Sequence, residues 1–318
     1  MGLKILQPGV LTTVQDAGRF GHQAAGFSVS GPMDTDALYT ANILVNNPPD
    51  YACLEMVFQG AAVVFDRKTY FALTGADMSP TLNGAPIPMY RAIEVKAGDT
   101  LVCSVAKQGK YTYLAVAGGI DVPVVMGSRA TNLKCAIGGY QGRKLAFGDE
   151  LPLAVTGVFL DNHYRKHLEP PVFSNEITLR VVPGPQDELF TDRGKQTFLS
   201  GTYTMQPDSD RMGIRLSGPE IESTAGVDII SDAIAFGSIQ IPSSGQPIIL
   251  MADRQTTGGY AKIGTIISPD LPKLAQCTAG AKIHFQWVTA AEANRLYRQH
   301  QKQLRRLARK TGLCLKKW

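Results

Sequence analysis

Gly237–Leu271 reads GSIQIPSSGQPIILMADRQTTGGYAKIGTIISPDL. Three short apolar runs, Ser238–Ile241, Ile248–Met251 and Ile263–Ile267, are separated by Pro242, the Ser-Ser-Gly at 243–245, Pro247 and a Gly-Gly pair. Isoleucine-rich runs of this length, bounded by Gly, Pro and Ser, are strand signals and are too short for helices. Between the second and third runs lies Ala252–Tyr260, ADRQTTGGY, which packs Asp, Arg, Gln, two Thr, two Gly and a Tyr into one connection. A sheet corner uses the glycines but has little need of Arg254, Gln255 and two adjacent threonines. Hydrogen-bonding side chains beside a Gly-Gly, whose bare backbone lets a ligand come close, make a polar cradle. The stretch is a candidate wall of a ligand cleft at the end of a barrel strand.

The same punctuation extends outward on both sides. Ala61–Asp66, Tyr70–Thr74, Ala92–Val95, Leu101–Val105 and Tyr111–Val116 precede it, and Ile177–Val182, Arg211–Leu216 and Lys282–Val288 complete the set. Short strands at this spacing indicate a mainly β chain of barrels or sandwiches. Helical patterns are few. Asp34 is placed to cap a helix through Ala37, Leu38, Ala41 and Leu44 that ends at Asn46-Asn47-Pro48. Gln186–Leu199 holds a second helix pattern, and Ser268-Pro269 opens a short third. Thr289-Ala290-Ala291-Glu292 has capping-box spacing, and the thin stripe of Leu296, Leu304 and Leu307 predicts a surface helix. Asn83–Ile87 with Lys96–Leu101 is loosely echoed by Ser244–Ile248 with Thr278–Ile283. The echo predicts two β domains, residues 1–165 and 166–288, followed by a basic helical tail, 289–318.

The chain has 318 residues, 44% hydrophobic and 19% charged, enough for a sizeable core. Its net charge of +5 is concentrated at one end. From Ala290 onward there are nine Lys or Arg against Glu292 alone, so the tail carries +8 and the remainder −3. A basic footprint across the fold, as nucleic acid requires, is not expected. The tail's charge fits a solvated helix end or contact with an acidic partner. No apolar run approaches the ~18 residues of a membrane span, and MGLKILQPGV has no apolar core before Pro8, so neither membrane insertion nor secretion is expected. Cys53, Cys103, Cys135, Cys277 and Cys314 are odd in number and lack any CxxC pair, which favours a reducing compartment, by default the cytoplasm.

No P-loop, dinucleotide fingerprint, serine-nucleophile elbow or metal-ligand cluster is present. His163 and His167 lie four apart but read as linker, and no metal is expected. Cys135, just before Gly138-Gly139, reads as a small buried residue rather than a nucleophile. Three further loop clusters remain: QDAGRFG (Gln15–Gly21) followed by GPMD (Gly31–Asp34), TGAD (Thr74–Asp77), and SDRMG (Ser209–Gly213). Each is open to a plain reading as well. Asp16 and Arg19 can simply pair within a turn, and Thr-Gly-Ala-Asp is a common strand exit.

Taken in order, QDAGRFG, SGPMD, LTGAD, GSRATN with GGYQGR, VVPGPQ, SDRMGIRLSGP and the opening stretch resemble the biotin-dependent carboxyltransferase-like family. That family includes the C subunit of the prokaryotic ATP-dependent 5-oxoprolinase, the so-called allophanate hydrolase subunit 2, and the KipA-like antagonist of a sporulation-kinase inhibitor. The resemblance covers roughly residues 3 to 288. Ala261 stands where many relatives would carry Pro, a departure that touches a turn rather than chemistry.

The resemblance implies two cyclophilin-like β-barrel domains with few helices and a C-terminal surface helix. It implies a heteromeric 5-oxoprolinase, a hydrolase opening 5-oxo-L-proline to L-glutamate with ATP. The chain would work there with two partners, the A component and a KipI-like B component, and be inactive alone. Two alternatives go with it: a carboxyltransferase component using carboxybiotin, whose carrier must be another chain, and a non-catalytic KipA-like regulator. A lactam presents an N–H beside a carbonyl, so a site needs an acceptor for the one and donors for the other. Asp16 and Asp77 are candidate acceptors, and Arg19, Arg211 and Gln255 candidate donors. Met33, Asp34, Met212, Asp253, Thr256, Thr257, Gly258, Gly259 and Tyr260 are candidate substrate-binding positions.

Overall fold

The computed structural model describes residues 2–224 and 226–311. Cys314, Lys316 and Lys317 of the basic tail lie outside the described residues. Backbone proximity divides the chain into two units. Met1–Phe20, Ser30–Phe173 and Lys302–Trp318 form the first, and Gly21–Val29 with Ser174–Gln301 forms the second.

In the first unit the strands are β1 (Gly2–Gln7), β2 (Leu11–Gln15), β3 (Cys53–Val57), β4 (Ala62–Phe65), β5 (Thr69–Asp77), β6 (Thr81–Leu82), β7 (Ala85–Pro86), β8 (Ile93–Val95), β9 (Thr100–Val102), β10 (Gln108–Val116) and β11 (Glu150–Pro152). They form a six-stranded sheet, β11-β1-β4-β9-β6-β7, and a five-stranded sheet, β2-β3-β10-β5-β8. One core lies under both sheets, with Leu3, Ile5, Val63 and Phe65 from the first and Leu54, Phe71, Leu73 and Leu114 from the second. Helix α1 (Thr35–Leu44) packs on β5 and β10. Asp34 Oδ1 caps it by accepting from Ala37 N at 2.9 Å, and Thr74 Oγ1 donates to Ala37 O at 2.6 Å.

The second unit contains β12 (Glu176–Pro183), α2 (Asp192–Ser200), β13 (Tyr203–Met205), β14 (Gly213–Ser217), β15 (Asp228–Ala233), β16 (Ser238–Gln240), β17 (Ile248–Leu250), β18 (Thr257–Tyr260), β19 (Lys262–Ile266), α3 (Leu271–Ala275) and β20 (Lys282–Trp287). Helix α4 (Ala290–Lys310) follows. Seven strands close a barrel in the order β12-β19-β16-β17-β14-β13-β20. The three apolar runs of the opening stretch become β16, β17 and β19 of that barrel. Phe198 of α2 is buried against Phe285 of β20, ring centroids 4.3 Å apart. The chain is mainly β, with four α-helices among the described residues, as its punctuation indicates.

Pattern reading leaves out β1, β2, β3, β6, β7, β11 and β13, and it misses a two-stranded ribbon, β15 with β18, that stands apart from the barrel. In Thr257–Tyr260, TGGY, the central Gly-Gly disfavours a strand. The segment is extended because β15 supplies the ladder, with Asp232 opposite Gly258 and Ala233 opposite Thr257. The tail helix starts at its capping box, with Glu292 N donating to Thr289 Oγ1 at 3.1 Å, and buries Leu304 and Ala308. Cys135 departs from its expected burial and is exposed. Its N–H donates to Asn132 Oδ1 in a surface turn, so loop geometry rather than side-chain polarity sets its environment. His163 sits in a single 3₁₀ turn and packs on Tyr70 at 5.1 Å, so the helical i, i+4 geometry of a histidine pair does not form. No described helix is long and apolar enough to cross a membrane.

Candidate functional site

The charged residues of ADRQTTGGY turn inward. Asp253 grips Arg211 bidentately, Arg211 Nε to Asp253 Oδ2 at 2.7 Å and Nη2 to Oδ1 at 3.1 Å, with both side chains about a tenth exposed or less. Backbone bonds lock the same two segments, Asp253 N to Arg211 O and Met251 N to Met212 O. Arg254 is also buried. Its Nε donates to Ile234 O and its Nη1 to Met251 O, both at 3.2 Å, and its guanidinium lies 5.5 Å from the Phe236 ring centroid. Burial lowers its pKa to about 10, with Asp253 acting in the opposite direction. Arg211, Met212, Asp253 and Arg254 therefore assemble a rigid floor of charge-assisted bonds.

The polar residues that follow turn outward. Gln255, Thr257 and Tyr260 are exposed, and Thr256 is half-buried with its carbonyl accepting from Ile234 N at 3.0 Å. Gly258 and Gly259 lie in β18 rather than in a turn. A Cβ at Gly258 would stand 2.7 Å from both Gln240 Nε2 and Ile234 Cδ1, so a larger residue there would displace the ends of those two side chains.

Beside the ribbon is a polar group that pattern reading misses. Lys262, the first residue of β19, is buried, and its Nζ donates to Asp232 Oδ2 of β15 at 2.9 Å. Gln186 reaches both partners. Its Nε2 donates to Asp232 Oδ2 and its Oε1 accepts from Lys262 N, each at 3.2 Å. Gln240 Nε2 donates to Tyr260 O at 3.2 Å, tying the end of β18 to the barrel. The PGPQ loop comes close enough because Gly184 has no side chain, since a Cβ there would stand 2.2 Å from Lys262 O. The Lys262 ammonium first, then the Ala233 N–H and the Gln186 amide, hold the Asp232 carboxyl below its usual range. A lysine opening an otherwise apolar run, KIGTII, was the available signal.

The candidates in the first unit separate into three places. Asp16 accepts from Gly18 N, Ser128 Oγ and Arg129 N, while buried Arg19 donates to Val125 O and Ala130 O. Both hold the 125–130 loop in place. Met33 N donates to buried Glu55 Oε2 at 2.9 Å, Tyr113 Oη donates to the same oxygen at 2.7 Å, and Asp34 N donates to Tyr113 Oη at 2.8 Å. Burial, reinforced by the Glu55 and Asp34 charges, raises the Tyr113 pKa strongly. Asp77 ends β5, accepts from Ser79 N, and lines a cavity of about 510 Å³ with Tyr90, Arg91, Gln108, His167 and Phe173. Glu55 had no sequence signal beyond a lone carboxylate inside an apolar strand, and the cavity had none.

Within the second unit, then, the structure joins Arg211 and Met212 to the Met251–Asp253 segment, and forms a second group from Lys262, Asp232 and Gln186 beside the ribbon that holds Thr257–Tyr260. The family model for the carboxyltransferase domain, subdomains A and B, matches residues 25–287. The 5-oxoprolinase C subunit of Escherichia coli (strain K12) is 38% identical over 306 residues, 96% of this chain and 97% of that protein. The protein of the same name from Haemophilus influenzae is 38% identical over 289 residues, 91% and 92% of the two chains. The crystal structure of the Kluyveromyces lactis urea carboxylase superposes with a TM-score of 0.89 at 30% identity, covering 100% of this chain and 30% of that one.

Proposed function

The chain belongs to the family of the carboxyltransferase domain, subdomains A and B, and from that premise we propose that it serves as the C subunit of a 5-oxoprolinase. The supporting observation is the near end-to-end match, at 38% identity, to a 5-oxoprolinase C subunit over 97% of that protein's length. On this reading the chain works in a complex with the A and B components on 5-oxo-L-proline, in the cytoplasm. Water opens an unactivated five-membered lactam slowly. Phosphorylation of the lactam oxygen by ATP, releasing ADP, makes the ring carbon more electrophilic, so that water adds there and the ring C–N bond breaks with the amine leaving. The resulting acyl phosphate is hydrolysed to glutamate and phosphate. The protein's task is to hold the ring and stabilise charge developing on that oxygen. Gln255, Thr257 and Tyr260, exposed in the stretch that follows the Arg211–Asp253 ion pair, present side chains for the ring or its carboxylate.

A carboxyltransferase role with carboxybiotin is the second reading. It is supported by the 0.89 TM-score to a urea carboxylase, of which this chain spans 30%. Biotin's ureido ring is also a cyclic amide, so the two readings share a substrate shape.

The test is to combine the purified chain with its A and B partners and follow ATP-dependent release of glutamate from 5-oxoproline. Activity that requires this chain supports the first reading. An inert mixture that nevertheless accepts carboxybiotin as a donor replaces it with the second.

A further inference from the structure

Burying an ammonium is costly unless the charge is paired and its N–H groups are used. Lys262 has 3% of its side chain exposed. Its Nζ carries three donors, and among the described residues its hydrogen-bond partner is Asp232 alone. Two of its N–H groups therefore have no acceptor among the described residues. Asp232 is the open end of the pair, with 48% of its side chain exposed on the ribbon. It accepts from Ala233 N through Oδ1 and from Lys262 and Gln186 through Oδ2. A carboxylate offers about four acceptor positions, so one remains.

The cluster thus sets spare donors beside a spare acceptor, with the two charges cancelling. Neutralised in this way, the lysine has little pull on a further carboxylate. What fits is a neutral group carrying an acceptor and a donor on the same edge. An open-chain secondary amide is trans and directs its C=O and N–H to opposite sides. A small ring holds the amide cis, so both face one way. We propose that Lys262 and Asp232 are a recognition pair for the cis-amide edge of a small cyclic amide, the lysine donating to its carbonyl oxygen and the aspartate accepting from its N–H. Gln186, bonded to both, is a positioning residue. Choosing a lactam as the ring rests on the 5-oxoprolinase reading, whereas the cis-amide edge rests on the geometry of the pair.

The full chain, alone and assembled with its A and B partners, is titrated by ligand-observed NMR with 2-pyrrolidinone and with N-methyl-2-pyrrolidinone, which lacks the N–H. The first is expected to bind and the second to bind about 100-fold more weakly, since N-methylation leaves the aspartate's desolvated acceptor without a partner. Lys262→Met and Asp232→Asn are each expected to abolish that discrimination and to lower kcat/KM for 5-oxoproline about 100-fold, as removal of one oriented donor does. Gln186→Leu is expected to raise KM more than it lowers kcat. Should Lys262→Met fail to fold, Asp232→Asn, which alters a half-exposed side chain, carries the test. Equal binding of the two pyrrolidinones, no binding of either, or a wild-type kcat/KM in Asp232→Asn overturns the pair while leaving the hydrolase reading intact. Discrimination between the two by a wild-type complex that does not turn over 5-oxoproline sustains the pair and overturns the hydrolase reading.

Discussion

Asp270 is the most heavily bonded buried carboxylate of the second unit, and replacing it with Asn tests what holds that barrel. The side chain is fully buried and accepts from Arg180 N at 2.9 Å, Arg180 Nε at 2.9 Å, Arg180 Nη2 at 2.6 Å and Lys273 Nζ at 3.1 Å. Asn preserves the volume, so no cavity forms, but its NH₂ must face donors. Breaking one partner of a buried pair costs about 3–5 kcal/mol. Arg180 keeps 28% of its side chain in solvent, which places this case near the lower limit, about 3 kcal/mol. At about 2–4 °C per kcal/mol, that is a fall of about 6–12 °C in melting temperature by calorimetry. Burial alone would raise the Asp270 pKa, but the Arg180 and Lys273 donors outweigh it and hold the carboxyl below the usual range. A depressed folded pKa stabilises above the unfolded value, about 3.9, and that stabilisation is lost as the pH falls through the lower folded value. The gap between wild type and Asp270→Asn should therefore be widest near neutrality and narrow below about pH 4. A destabilisation under about 1 kcal/mol, or a gap independent of pH, would refute the reasoning.

The exposed Gln255 is expected to cost activity without stability when changed to Ala: kcat/KM of the assembled complex falls at least about tenfold, while the melting temperature stays within about 1 °C. Gly258→Val pushes a side chain into Gln240 and Ile234, so we expect a loss of about 1–3 kcal/mol in urea unfolding and faster proteolysis within residues 254–260. Burial raises the thiols of Cys53 and Cys103, the latter to about 12, and Cys277 is also buried, whereas Cys135 is exposed. Among the described cysteines, native-state alkylation at pH 8 followed by peptide mapping should therefore modify Cys135 fastest, and labelling of Cys53 before Cys135 would contradict the packing.

Much of the architecture follows from local rules. Proline and glycine around Ile-rich runs place β16, β17 and β19, Asp34 caps α1, and Thr289 with Glu292 starts α4, because each signal acts within a few residues along the chain. Where pairing is long-range, local signals are silent. TGGY becomes a strand because Asp228–Ala233 lies against it.

The site divides along the same line. The sequence by itself determined that ADRQTTGGY concentrates hydrogen-bonding groups next to glycines, and its ordered motifs determined the family. The tertiary structure decided which of those groups are available. Arg254 and Asp253 are taken up by Met251, Ile234 and Arg211, while Gln255, Thr257 and Tyr260 stay exposed. It also decided that Gln186, Asp232 and Lys262, up to 76 residues apart, meet at hydrogen-bond distance. The physical reason is that residue type fixes how many bonds a side chain can make. Whether those bonds are spent inside the fold or left for a ligand depends on which strands the barrel closure brings together, and no single segment carries that information.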